Sequence, residues 1–261
     1  MEAAKLKIDR IIAEGYDFRF GDYIGKGFNL FQKEAGMFIG FTVVFFMLYF
    51  VIALVPFIGI FADGLVVMPA LIVGMYLVSH KTDIGQRAEF GDFFKGFDFT
   101  GQLAIATLVM WLIMCIAMAP LLFMYWKYGM FDWYMDFIRN PADFASNQPP
   151  RLPGWVFLLE LPAIFLGLAY SWTYLFIAFY KMEFWDALEA SRRLITKKWF
   201  HFFAFMLVVG MILAAGFILF CIGILVTFPA AMCMTYAAFA DVTRLNEVPG
   251  EGAGIEEHLI E

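Results

Sequence analysis

The sequence predicts an all-α integral membrane protein: six transmembrane helices, three amphipathic elbow helices on one side, and a duplicated helix hairpin. Three observations predict it. Of 261 residues, 62% are hydrophobic and only 16% charged, where soluble domains carry roughly 25% charged residues. The apolar residues gather in long runs. And one phrase, Phe-x-Asp, recurs ahead of three of those runs, at Phe20 and Asp22, Phe90 and Asp92, and Phe184 and Asp186.

The runs set the number of spans. No Asp, Glu, Lys or Arg falls between positions 98 and 127 or between 198 and 241. Only Asp63 interrupts 34–81, and only Glu160 interrupts 151–181. A bilayer takes about 20 apolar residues as helix. The stretches 36–80 and 199–240 each suffice for two crossings, and 102–126 and 155–180 for one. The expected spans are 36–56, 62–80, 102–126, 155–180, 199–219 and 223–240. Residues 1–19 form a charged, amphipathic segment without the apolar core of a signal peptide. Residues 242–261 form an acidic tail.

Orientation follows from Lys and Arg. With six spans both termini share a side. Its four segments hold six, three, five and one basic residues, fifteen in all, against Lys127, Arg139 and Arg151 opposite. Both termini are therefore expected in the cytoplasm.

Each Phe-x-Asp segment places apolar or small residues at spacings 0, 4, 7 and 11: Phe20, Ile24, Gly27 and Phe31; Phe90, Phe94, Phe97 and Gly101; Phe184, Leu188, Ser191 and Ile195. That is one face of an α-helix. The Asp falls in the opening turn, where a carboxylate suits free amides. The segments read as helices lying in the interface and bending into the following span. Lys26, Lys33, Lys95, Arg192, Arg193, Lys197 and Lys198 are the candidate contacts to anionic headgroups.

A shift of 164 residues brings Phe20 onto Phe184, Asp22 onto Asp186, Lys33 onto Lys197, Phe41 onto Phe205 and Gly59 onto Gly223. After a four-residue deletion, Pro69 and Tyr76 meet Pro229 and Tyr236. The first two and last two spans read as a parallel duplicated hairpin.

Few residues suggest chemistry. Glu160 is the ionisable group inside a span and the candidate ligand or ion site, with Pro162 expected to open the helix beside it. Pro69, Pro120, Pro162 and Pro229 are expected kinks. Asp63, after the first Ile-Gly-Ile turn, reads as a solvated turn residue on the outer side. Cys115, Cys221 and Cys233 lack metal-ligand spacing, and His80, His201 and His258 make no metal motif. No cofactor, metal or catalytic residue is expected. Between spans three and four, 127–154 begins as an amphipathic aromatic segment and continues rich in turn residues.

The residues FNLFQKEAGMFIGF (28–41), EFGDFFKGF (89–97), FWDALEASRRLITKKWFHFFAF (184–205) and GILVTFPAAMCMTYAAFAD (223–241) carry a resemblance. Over about 20–241 the chain resembles bacterial six-helix inner-membrane proteins. These include the YciC-like family and the membrane domain attached to some glycerophosphodiester phosphodiesterases. The resemblance implies a polytopic membrane module and carries over no catalytic residue. The expected function is a non-enzymatic, lipid-interacting or accessory module of the envelope. The alternatives are a subunit of a larger membrane complex and a small transporter or channel using Glu160. The expected partners are membrane lipids and other membrane subunits, not nucleic acid.

Overall fold

Helices account for every regular element among the described residues of this computed structural model, which are 2–55, 58–140, 148–218 and 223–247. The chain opens with α1 (Glu2–Glu14), α2 (Phe20–Lys33), α3 (Ala35–Ala53) and α4 (Ile58–Ala62). A π-helical stretch (Asp63–Val67) leads into α5 (Met68–Asp83), and a 3-10 helix (Phe90–Phe99) leads into α6 (Thr100–Lys127). There follow α7 (Met130–Arg139), a second 3-10 helix (Gly154–Glu160), α8 (Leu161–Ala169) and α9 (Thr173–Tyr180). The chain continues through α10 (Phe184–Lys197), α11 (Trp199–Ile218) and α12 (Ile224–Val242). Most of the acidic tail, Cys221, His258 and part of the loop after α7 lie outside the described residues.

Six helical runs are long and apolar enough to cross a membrane: Ala35–Ala53, Asp63–Asp83, Phe90–Lys127, Gly154–Tyr180, Trp199–Ile218 and Ile224–Val242. They alternate in environment. The even runs are 56%, 50% and 61% buried and the odd ones 22%, 17% and 22%. So α5, α8 with α9, and α12 form an inner layer, and α3, α6 and α11 face outward. Composition explains the split. The inner layer carries small residues such as Ala70, Gly74, Ala169, Ala178, Ala230 and Ala238, which let helices approach closely.

The three Phe-x-Asp helices pack on the inner layer in rotation. α2 lies against α12, Phe90–Phe99 against α5, and α10 against α8 and α9. Two of them run antiparallel to their partners. Phe93 meets Gly74 and Gly96 meets Ala70, while Tyr23 meets Asp241 and Gly27 meets Met234. Glycine is required at these crossings. A Cβ on Gly27 would lie 2.4 Å from the Met234 Cα, and one on Gly96 1.9 Å from the Ala70 carbonyl oxygen.

The expected helical face holds for α10, where Leu188, Ser191 and Ile195 are buried. It does not hold for the second segment. There the chain is a 3-10 helix with three residues per turn, so Phe93 and Gly96 point inward while Phe90, Phe94 and Phe97 are exposed. Asp92 does cap the helix: it accepts a 2.8 Å bond from the Glu89 amide. Asp186 instead pairs with Lys5 at 2.7 Å, and Asp22 lies 3.9 Å from Arg19.

The fourth span breaks at 170–172, not at Pro162. Pro162 sits in the first turn of α8, where its missing N–H costs nothing. At the break the buried Ser191 hydroxyl donates to the Ala169 carbonyl (2.8 Å) and accepts from the Trp172 amide (3.2 Å). Ser191→Ala would leave both backbone groups unpartnered. The expected cost is about 2 kcal/mol, read as a lower melting temperature in detergent, and Ser191→Gly should behave alike.

The outer hairpins also repeat a contact. A Cβ on Gly59 would lie 2.1 Å from the Ile52 carbonyl oxygen, and one on Gly216 would lie 3.1 Å from the Gly223 carbonyl carbon. The 164-residue shift superposes these two pairs.

Residues 1–19 are not a loose segment. Ile8 and Ile11 are buried in the core, and α1 lies across α10. Tyr16 donates to the Leu194 carbonyl at 2.8 Å, and burial pushes its hydroxyl above the usual range. Arg193 pairs with Asp9 at 2.6 Å.

Candidate functional site

The polar residues that matter gather at the end of the bundle where α1 lies. α2 puts its apolar residues Tyr23, Gly27, Leu30 and Phe31 into the core. The opposite face, with Asp22, Lys26, Asn29 and Lys33 at spacings 0, 4, 7 and 11, therefore faces away from it. With Gln32 and Asp83 of α5, these residues line an open groove of about 840 Å³.

Two carboxylates hold α2 in place. Asp83 accepts from Lys26 (2.8 Å), from Tyr236 of α12 (3.2 Å) and from Asn246 (2.6 Å), all at Oδ2. Because the Tyr236 hydroxyl gives its proton to Asp83, the bond between its oxygen and His80 Nδ1 (2.8 Å) needs the N–H on His80. The network thus runs His80, Tyr236, Asp83, and then Lys26 and Asn246. Asp241 accepts from Arg19 and from Tyr23, the latter at 2.7 Å. Burial first, and then the Asp241 carboxylate, pushes the Tyr23 hydroxyl above its usual range, so it remains a donor.

The seven basic residues singled out as headgroup contacts fall into two groups. Six have partners in the chain. Lys26 holds Asp83, Lys95 lies 3.1 Å from Asp92, and Arg192 pairs with Glu189 at 2.7 Å. That hydrogen bond holds the Glu189 carboxyl below its usual range. Arg193 holds Asp9, Lys197 donates to the Ile12 carbonyl, and Lys198 lies 3.8 Å from Asp17. Lys33 is exposed and, among the described residues, has no ion-pair or hydrogen-bond partner. Four of the six in this basic belt bridge elements: Lys26 ties α2 to α5, and Arg193, Lys197 and Lys198 tie α10 to α1 and to Asp17 after it. The Lys95 and Arg192 pairs lie within their own helices. The pairs exposed on both sides contribute about 0–1 kcal/mol each.

Glu160 is elsewhere. It is exposed, at the end of Gly154–Glu160 and the start of α8, beside the exposed Trp155, Phe157, Leu158 and Leu161. Of the paired repeat residues, Tyr236 enters the polar network, while Tyr76 is buried in the core. Among the described residues no three His, Cys, Asp or Glu side chains converge as metal ligands. Sequence reasoning missed Asp83, Tyr236 and His80 as a unit, because only the crossing of α2 over α5 and α12 brings them together. Comparison with protein-family models, curated proteins and solved structures gives no match to this chain.

Proposed function

We propose that this chain is a non-enzymatic multi-pass module of the bacterial inner membrane, with both termini cytoplasmic, that binds phospholipid headgroups in the groove along α2. The observation that carries the reading is the pairing of signs in that groove. Lys33 offers a free cation, with Lys26 beside it on Asp83, and Asn29 and Gln32 offer amides for a phosphate, while the exposed Asp22 suits a headgroup amine. The basic side chains of the belt lie on one end of the bundle, where anionic lipid attracts each by about 1 kcal/mol. The three Phe-x-Asp helices serve as elbows at that interface, feeding the outward-going spans. The matched contacts of Gly59 with Ile52 and Gly223 with Gly216 support the duplicated hairpin. So does the pair Gly96–Gly74 and Gly27–Met234, since Gly74 and Met234 are related by the shift of 160. The likeness to YciC-like membrane proteins belongs to this same reading.

Native mass spectrometry after gentle extraction tests it. The wild type is expected to carry phospholipid, and Lys33→Ala to hold it about fivefold more weakly, the equivalent of about 1 kcal/mol. A chain without lipid, or one whose lipid is indifferent to Lys33, would sink the groove reading. A stoichiometric protein partner would make the chain a subunit of a larger complex instead.

A further inference from the structure

Asp63 is not in a solvated turn. It is only 7% exposed, and among the described residues its Oδ1 has no hydrogen-bond partner. It opens the π-helical stretch Asp63–Val67, in which the Met68 amide bonds back to the Asp63 carbonyl. The widened turn has a cause in the sequence. Pro69 has no N–H to give the helix and its ring crowds the preceding turn, so the chain adds a residue there. Stretches of this kind recur at functional sites.

Its place follows from the neighbours and the helix. Gly64 packs under the Trp111 ring, whose Cζ2 would lie 2.7 Å from an added Cβ. Asp63 is the first residue of the Asp63–Asp83 run, about 30 Å along the helix from Asp83. The carboxyl is therefore buried near the end of the run opposite the α2 groove. The elements packed on it are α3, α4, α5 and α6. Their titratable groups are Tyr49, Tyr76, Cys115, Tyr125, Lys127 and the cluster His80, Lys81 and Asp83. The cluster is at the far end of α5, about 30 Å away along the helix for Asp83, and Lys127 ends α6. No cation on these elements is within reach of Asp63.

We infer that Asp63 is a proton-binding site buried among the helices: a carboxylic acid that carries its own counter-charge as a bound proton. A single carboxyl with no second acid suits one proton and offers a divalent metal too few ligands. The inference rests on the six runs crossing a membrane, and resistance of the protein to alkaline extraction tests that premise separately.

The experiment treats native membranes with dicyclohexylcarbodiimide, which adds across a protonated carboxyl to give a stable N-acylurea. A water-soluble carbodiimide is used in parallel, and adducts are mapped by mass spectrometry. Asp63 is expected to react with the apolar reagent at least tenfold more than with the soluble one, whereas Glu247 shows the reverse. The purified protein in lipid is expected to show a protonated-carboxyl stretch in the infrared, lost in Asp63→Asn. The asparagine is isosteric, so that variant is expected to melt like the wild type. Equal labelling of Asp63 by both reagents, or an infrared spectrum unchanged in Asp63→Asn, would overturn the proposal. So would protection of Asp63 by sodium at constant pH, which would make the ligand a metal cation.

Discussion

Gly74→Ala is expected to cost about 3 kcal/mol or more and to release Phe90–Phe99 from α5. A Cβ at this position would lie 1.7 Å from the Phe93 carbonyl oxygen and 2.6 Å from its carbonyl carbon. Those atoms are backbone, and they belong to a helix that is itself fixed on the far side by Gly96 against Ala70. No rotamer change relieves the clash. One helix must move away, and the Phe93 ring must leave its stack on Phe41, where the centroids are 4.1 Å apart. Overpacking of this kind costs typically 1–3 kcal/mol and more where backbone blocks backbone. Gly210→Ala is the control. It lies inside α11 with nothing within 4 Å of the added carbon, and alanine there gains about 0.5–1 kcal/mol from helix propensity. Heating in detergent followed by size-exclusion separates the two. Equal melting temperatures would mean that the crossing is looser than described.

Asp83→Ala is the second large effect, about 3 kcal/mol. The side chain is only 9% exposed and three donors converge on one of its oxygens. A hydrogen bond to a charged group contributes about 1.5–3 kcal/mol, and stranded donors add a desolvation cost. Lys26 and Asn246 recover part of that loss by turning to water. Tyr236 of α12 is wholly buried and cannot; its hydroxyl keeps only His80 Nδ1, which must change tautomer to accept from it. Loss of the carboxylate should also loosen α2, seen as faster cleavage by trypsin at Lys26 and Lys33. Asp22→Ala, whose side chain is 71% exposed, should change stability by less than about 0.5 kcal/mol. If Lys26→Met in the Asp83→Ala background costs as much as it does alone, the two residues are not coupled.

The six apolar runs were legible because length and composition alone decide them. The Phe-x-Asp helices were legible as helices from their spacing. Their partners were not, because nothing local in α2 names α12. The 3-10 geometry of Phe90–Phe99 was also hidden, since its aromatic residues satisfy a 3.6-residue period equally well. The break after Ala169 carries no glycine or proline; it is created by Ser191 from another helix, while the visible proline, Pro162, merely starts α8. Asp63 was misread for a similar reason. Next to Ile58-Gly59-Ile60 it resembles a turn residue, and only the extra residue before Pro69 and the packing of Trp111 reveal its burial. The amphipathic character of residues 1–19 was plain, with Ile8, Ile11 and Ile12 on one face, but a docking partner cannot be read from one face.

The seating of α2 on α12 has a consequence for how the chain is made. The two helices are joined at Gly27 and Met234, and at Tyr23 and Asp241, so about 200 residues separate partners that touch. At synthesis rates of roughly 5–20 residues per second, α2 waits about 10–40 s for its seat. During that time its apolar face, with Leu30 and Phe31, has only lipid or a chaperone to rest on. Of these helices α12 is made last, so a ribosome that stalls before it leaves α2 without its partner. Truncated chains ending before α12 are therefore the form that quality-control proteases at the membrane should meet and remove.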